Sequence, residues 1–109
     1  MQNVIPALRI TDCEKSKAFY LQGLGFTLDW EHRFQPDFPV FMSITRDSLS
    51  IFLSQHSGDC QVGGLVYLFV DDVDAWRASI SWEIAAPHPK DQPWGMREMR
   101  LKDPDGNTI

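Results

Sequence analysis

One order of elements, strand, helix and then three strands, runs twice along this chain, and that repetition limits the fold more than any other feature. The first pass opens with the apolar run VIPALRI (residues 4–10), where Pro6 suits a sheet edge or a strand entrance. Thr11 or Asp12 caps a helix of about residues 12–22, with Thr11 and Glu14 at capping-box spacing and Phe19 and Tyr20 on its buried side. Gly23 and Gly25 in LQGLGF end that helix. FTLDWEHR (26–33), VFMSITR (40–46) and LSIFLSQ (49–55) follow as strands, the last two joined by a polar turn at Asp47 and Ser48. After HSGDCQVGG the order restarts with GLVYLFV (64–70) as a strand. Asp71 or Asp72 then caps a helix whose apolar stripe is Val73, Trp76 and Ile80. WEIAA (82–86), a proline-rich connection (87–93), MREMRLK (96–102) and the turn DPDGN complete the second pass. The fold class expected is α+β, with two βαβββ modules, residues 1–60 and 61–109, forming a single domain around one core. The closing strand is expected to be cut short, because Ile109 comes just after the turn and a strand usually has several more residues.

With 109 residues, 43% of them hydrophobic, the chain can bury a core, yet a two-layer fold of this size gains from a partner subunit, so a homo-oligomer is expected. The formal charge of -5 argues against nucleic acid as a partner, which needs clustered Lys and Arg, and it tolerates a cationic ligand. No secretory leader is recognisable and no apolar run approaches the ~18 residues of a membrane span, so a cytoplasmic location is expected. Cys13 and Cys60 lack CxxC spacing and read as reduced thiols.

Five segments, PALRITD, FYLQGLGF, RDSLSIFLS, LVYLFVDDVDAW and QPWGMREMRLKDPDGN, together resemble the vicinal-oxygen-chelate superfamily, which contains glyoxalase I, extradiol dioxygenases, fosfomycin-resistance proteins and the bleomycin-resistance binding proteins. The bleomycin-resistance proteins are the most similar in look, through QPWG, the Arg-Glu pair and the Asp-Pro turn. The resemblance implies a homodimer of βαβββ modules whose curved mixed sheets enclose ligand grooves. It also implies where a divalent metal would be held: at Ile5, Phe52 and Leu65, with a last position beyond Ile109. All three visible positions are apolar and offer no nitrogen or oxygen donor, so neither metal nor cofactor is expected. His32, His56 and His88 show no chelating spacing, and no Ser-His-Asp set or carboxylate pair can be identified by spacing, so no catalytic residue is named.

Without metal ligands the inward face becomes an apolar small-molecule surface. Alternation puts Leu65, Tyr67 and Phe69 on one face of the second module's first strand, and Ser50, Phe52 and Ser54 together on the hairpin strand. Phe52 and Phe69 suit packing as well as ligand contact. In WEHRFQPDFPVF, Phe34 and Phe38 are expected as lid or stacking residues by analogy with the resembled proteins, a dimer contact being the alternative, while Glu31 and Asp37 would favour a cation. Trp94, between Pro93 and Gly95, sits on a tight loop where its ring could stack on a planar ligand for about 0.5–1.5 kcal/mol beyond area burial, or anchor a dimer. Arg97 and Glu98 face opposite sides of their strand, and parity leaves open which of them looks into the groove. The expected function is that of a metal-independent, homodimeric binding protein that sequesters a cationic or aromatic small molecule such as a bleomycin-type antibiotic. The alternatives are a glyoxalase- or dioxygenase-type metalloenzyme with a shifted ligand set that includes Glu98, and a fold used only for assembly.

Overall fold

The computed structural model describes residues 2–109. Four strands form its main sheet, β1 (Ala7–Arg9), β2 (Thr27–His32), β3 (Phe41–Arg46) and β4 (Leu49–Ser54), in the order β1-β4-β3-β2. β1 is parallel to β4 and the other contacts are antiparallel, so the sheet is mixed. Register decides what each face carries. Pairing from Phe41↔Ser54 to Arg46↔Leu49 places Met42, Ile44, Ile51 and Leu53 on the core face, all fully buried. The opposite face receives Phe41, Ser43 and Phe52. β2 shifts register between Leu28 and Trp30, a bulge at Asp29 that re-aims the residues after it.

α1 (Cys13–Lys17) is capped by Asp12, whose carboxylate accepts the Lys15 N–H at 3.1 Å. The expected Thr11–Glu14 capping box does not form, because the Thr11 hydroxyl donates instead to Asp105. The helix continues as a π-helical stretch, Ala18–Gly23, whose wider turn lets the Leu24 N–H reach the Phe19 carbonyl at 2.9 Å. Tyr20, Leu24 and Phe26 then enter the core, with the Tyr20 and Phe26 rings edge to face at 6.2 Å. Gly23 leaves the space that the Ile84 side chain fills.

The second half contains α2 (Val73–Ala78), capped by Asp72, and a two-stranded pair, β5 (Lys90–Asp91) with β6 (Arg97–Glu98). Three expected strands need correction. Residues 64–70 make only the isolated bridge Leu65↔Thr108, residues 82–86 form a turn and irregular chain with Trp82 exposed, and residues 96–102 are paired only at β6 and at Lys102↔Thr108. The partner of β6 lies inside the proline-rich connection, at Lys90–Asp91. The reason is physical: a strand exists by its neighbours, and these segments have neighbours over only a few residues. Topology nevertheless repeats, since Thr108 lies between a parallel partner and an antiparallel one, as β4 lies between β1 and β3. Ile80 is buried and Trp76 partly so, which packs α2 on the same core. Arg46 fastens it, with its guanidinium 4.1 Å from the Trp76 ring centroid and Nη1 donating to the Leu24 carbonyl at 2.6 Å.

The DPDGN turn joins the two halves. Asp103 and Asn107 are buried, and the Asp103 carboxylate accepts from the Tyr20 hydroxyl at 2.6 Å, from the Asp105 and Asn107 N–H groups and from the Asn107 side-chain amide. Asn107 also donates to the Arg9 carbonyl at 2.8 Å and accepts from the Gly64 N–H at 2.8 Å. Burial first, and then the Asp103 carboxylate, push the Tyr20 phenol far above its ordinary value. An unfolded phenol ionises near its ordinary value of 10.0 and the folded one only well above it. The contribution of this group is therefore complete below that pH and declines as pH rises above it. Thermal melts from neutral to strongly alkaline pH are expected to show a steeper alkaline loss for the native chain than for Tyr20→Phe. Parallel curves would contradict this.

Candidate functional site

The face of the main sheet away from the core carries a cluster of rings. Trp30 stacks on Phe41, with centroids 5.9 Å apart and planes 20° apart, and both rings pack on Phe52, at 5.7 Å from Trp30 and 5.2 Å from Phe41. Phe41 and Phe52 are diagonal neighbours across the β3–β4 register, and the bulge at Asp29 brings Trp30 opposite Ser43 beside them. Phe34 stands edge-on to His32 at 4.8 Å and to His56 at 6.3 Å. Trp30, His32, Phe34, Phe41, His56 and Asp59 line an open cleft of ≈ 440 Å³. Beside the rings runs a polar row: the Asp29 carboxylate accepts from Ser43 at 2.9 Å and from Thr45 at 2.5 Å, and Thr45 in turn meets Ser50 at 2.8 Å. An exposed indole, three phenylalanines and an adjacent carboxylate suit a flat or cationic molecule.

A second concavity, of ≈ 410 Å³, lies between residues 65–74 and residues 95–101. Tyr67 and Phe69 face outward, while Val66 and Leu68 pack against the core. Arg97 and Glu98 both border this groove. Arg97 is held by the Asp74 carboxylate at 2.8 and 3.1 Å and by Asp91 at 3.2 Å, and the hydrogen bond from Arg97 is the first cause that keeps the Asp74 carboxyl below its ordinary value. Glu98 accepts from the Trp94 indole at 2.9 Å. Trp94 itself is 62% exposed on the loop that Gly95 closes with a φ of 89°.

The sequence-based candidates therefore divide. Phe34 and Phe52 belong to the aromatic cleft, Tyr67, Phe69, Arg97 and Glu98 to the second groove, and Trp94 to the rim beyond Glu98. Phe38 does not line the cleft: it closes a turn in which its N–H donates to Gln35 and its carbonyl accepts from Arg33. Ser54 has the expected parity but is fully buried, donating to Asp59 at 2.6 Å and accepting the His56 N–H, so it offers nothing to a ligand. Sequence reasoning missed Trp30, His32, Phe41 and His56 as cleft residues. Parity along β3 could have found Phe41, which lies on the same face as Ser43 opposite Phe52.

A family profile described as glyoxalase superfamily protein matches residues 1–109. The chain belongs to the glyoxalase superfamily. Among solved structures, this superfamily member is similar to a glyoxalase/bleomycin resistance protein from Streptomyces sp. CB03234, at 31% identity over 99% of this chain and 96% of that one, with a TM-score of 0.68. It is also similar to TnmS3, an antibiotic binding protein from the same strain, at 28% identity over 100% and 93% of the two chains and a TM-score of 0.74. A bleomycin-binding protein complexed with bleomycin shares its fold, with 22% identity over 99% and 94% of the chains and a TM-score of 0.70. No curated protein sequence gave a match. Ile5, Phe52 and Leu65, where the resemblance places metal ligands, carry no donor atom, and among the described residues no group of three or more His, Cys, Asp or Glu side chains converges.

Proposed function

We propose that this chain is a metal-independent binding protein that sequesters a flat aromatic or cationic small molecule, with bleomycin-type antibiotics as the first class to test. The observation that carries this reading is the open cleft of stacked rings, Trp30 on Phe41 over Phe52, beside the Asp29 carboxylate. The antibiotic binding named for TnmS3 and the bleomycin held by the third similar structure support the class of ligand. Two copies complete the groove in this reading. The exposed Tyr67, Phe69 and Trp94 of one protomer face the aromatic cleft of its partner, which buries apolar surface that a lone subunit exposes. Among the described residues no helix is long and apolar enough to cross a membrane, and both cysteines are free thiols.

Titration with a bleomycin-class drug, followed by tryptophan fluorescence, is expected to give a saturable change at micromolar protein, because Trp30 lies 46% exposed in the cleft. A flat response across the titration would remove the drug from the proposal. Elemental analysis separates the metalloenzyme alternative, since stoichiometric Ni, Zn, Mn or Fe in purified protein would overturn metal independence. Sedimentation equilibrium tests the homodimer.

A further inference from the structure

We infer, resting on the reading of the aromatic cleft as a small-molecule site, that its occupant is a flat bipolar molecule with a cationic group at one end of its rings and a hydroxyl at the other. The cationic end is set by the bulge in β2. Leu28 pairs with Ile44 and Trp30 with Ser43, so Asp29 is an extra residue between them. Regular alternation would send the Asp29 and Trp30 side chains to opposite faces, but the bulge puts both on the face that carries Ser43 and Phe52. Hydroxyls orient the carboxylate there. Ser43 and Thr45 both donate to Oδ2, and because the Thr45 proton is used in that bond, Ser50 donates to Thr45 at 2.8 Å. Oδ1 takes no bond among the described residues and is open to a ligand N–H. A carboxylate held by donors beside an indole suits an amidinium or ammonium joined to a stacked ring.

The other end lies further along the strands. Asp29 bonds to Ser43 and Thr45 and so stands level with Ile44, whereas His32 pairs with Phe41, a separation of about 10 Å by strand rise. His32 and His56 both pack edge to face with Phe34 there. The main-chain N–H of His56 donates to Ser54, and neither imidazole makes a hydrogen bond among the described residues. Asp59 lines the same end, its Oδ2 accepting from Ser54, which pairs with Phe41.

These groups define what that end takes. An imidazole N–H donates and a carboxylate accepts, so a hydroxyl, which does both, answers the set. A ligand carboxylate would instead meet the like charge of Asp59. Between the ends, Trp30, Phe41 and Phe52 supply the stacking bed. A fused two-ring system with its substituents at the far corners matches this order of carboxylate, rings and imidazoles.

Three naphthalenes separate the contributions: 6-amidino-2-naphthol carries both groups, 2-naphthamidine the cation alone and 2-naphthol the hydroxyl alone. Fluorescence titrations of the 109-residue chain are expected to place the bipolar probe about tenfold or more ahead of each of the others. Asp29→Asn, which keeps an oxygen for Ser43 and Thr45, should bring its lead over 2-naphthol toward one while its lead over 2-naphthamidine survives. The double variant His32→Phe with His56→Phe, which keeps rings against Phe34, should do the reverse. Each lead is a ratio taken within one variant, so a smaller folded fraction does not move it. Equal binding of the three probes, or leads that persist in these variants, would overturn bipolar selection and leave the cleft standing as long as Trp30→Ala weakens all three. No saturable binding, or binding indifferent to Trp30→Ala, would overturn both readings.

Discussion

Asp103→Ala lowers the unfolding free energy by about 3 kcal/mol or more, because it strips the buried Tyr20 hydroxyl and the Asn107 amide of their shared acceptor, at roughly 1–3 kcal/mol per stranded group. Against a total of about 5–15 kcal/mol for a small domain this is a large fraction. Asn107→Ala follows the same logic, since it releases the Gly64 N–H and the Arg9 carbonyl together. Asp91→Ala, by contrast, removes an exposed carboxylate from an ion pair that Asp74 also serves, and is expected to change stability by less than about 0.5 kcal/mol. Denaturant melts of the three variants test the ranking. If Asp103→Ala and Asp91→Ala unfold at the same midpoint, the turn does not join the halves as described.

The second large effect is on affinity. Trp30→Ala or Phe52→Ala is expected to weaken binding of a bleomycin-class drug about ten- to a hundredfold, equivalent to about 1.4–2.8 kcal/mol for a lost stacking ring and its buried area. Both side chains lie on the face away from the core, so their removal should leave the melting temperature within a few degrees of the native chain. Ile51→Ala, one residue from Phe52 but on the core face, is expected to do the reverse, costing about 2–5 kcal/mol of stability while sparing the cleft. Trp94→Ala reads out the assembly: its indole lies at the rim with Glu98 and not in the cleft, so it can affect affinity only where a partner protomer supplies it. Calorimetric titration of the set distinguishes these outcomes. Unchanged affinity in both Trp30→Ala and Phe52→Ala would move the site elsewhere.

How far the sequence could be read depended on whether a pattern was matched by a neighbour. Residues 26–33, 40–46 and 49–55 alternate and lie beside one another in the chain, so β2, β3 and β4 fall within a residue or two of those expectations. GLVYLFV alternates just as well, and its parity survives in the outward Tyr67 and Phe69 and the packed Leu68, yet it pairs only at Leu65. Alternation reports which face is buried, not whether a second backbone lies alongside. The proline-rich connection concealed β5 for the opposite reason, since two residues of pairing leave no period to detect. In the cleft, Phe34 and Phe52 were legible from composition and parity, whereas the bulge at Asp29 changes the frame on which Trp30 would have been placed. DPDGN was legible as a turn. Its long-range bonds were not, because a turn signature says nothing about which distant hydroxyl or carbonyl it will meet.

That same turn carries a consequence for how the chain reaches its structure during synthesis. Tyr20 and Asp103 are 83 residues apart, Arg9 and Asn107 98, so these contacts close long loops. A ribosome releases the first sheet well before it releases the residues that satisfy the Tyr20 hydroxyl. Until then the early half can pair its strands but not seal its polar interior, which keeps it open to rearrangement and to other chains. Contacts of such long sequence separation raise the contact order of the native state, and the loop-closure entropy they cost slows assembly relative to the local pairing of β2, β3 and β4.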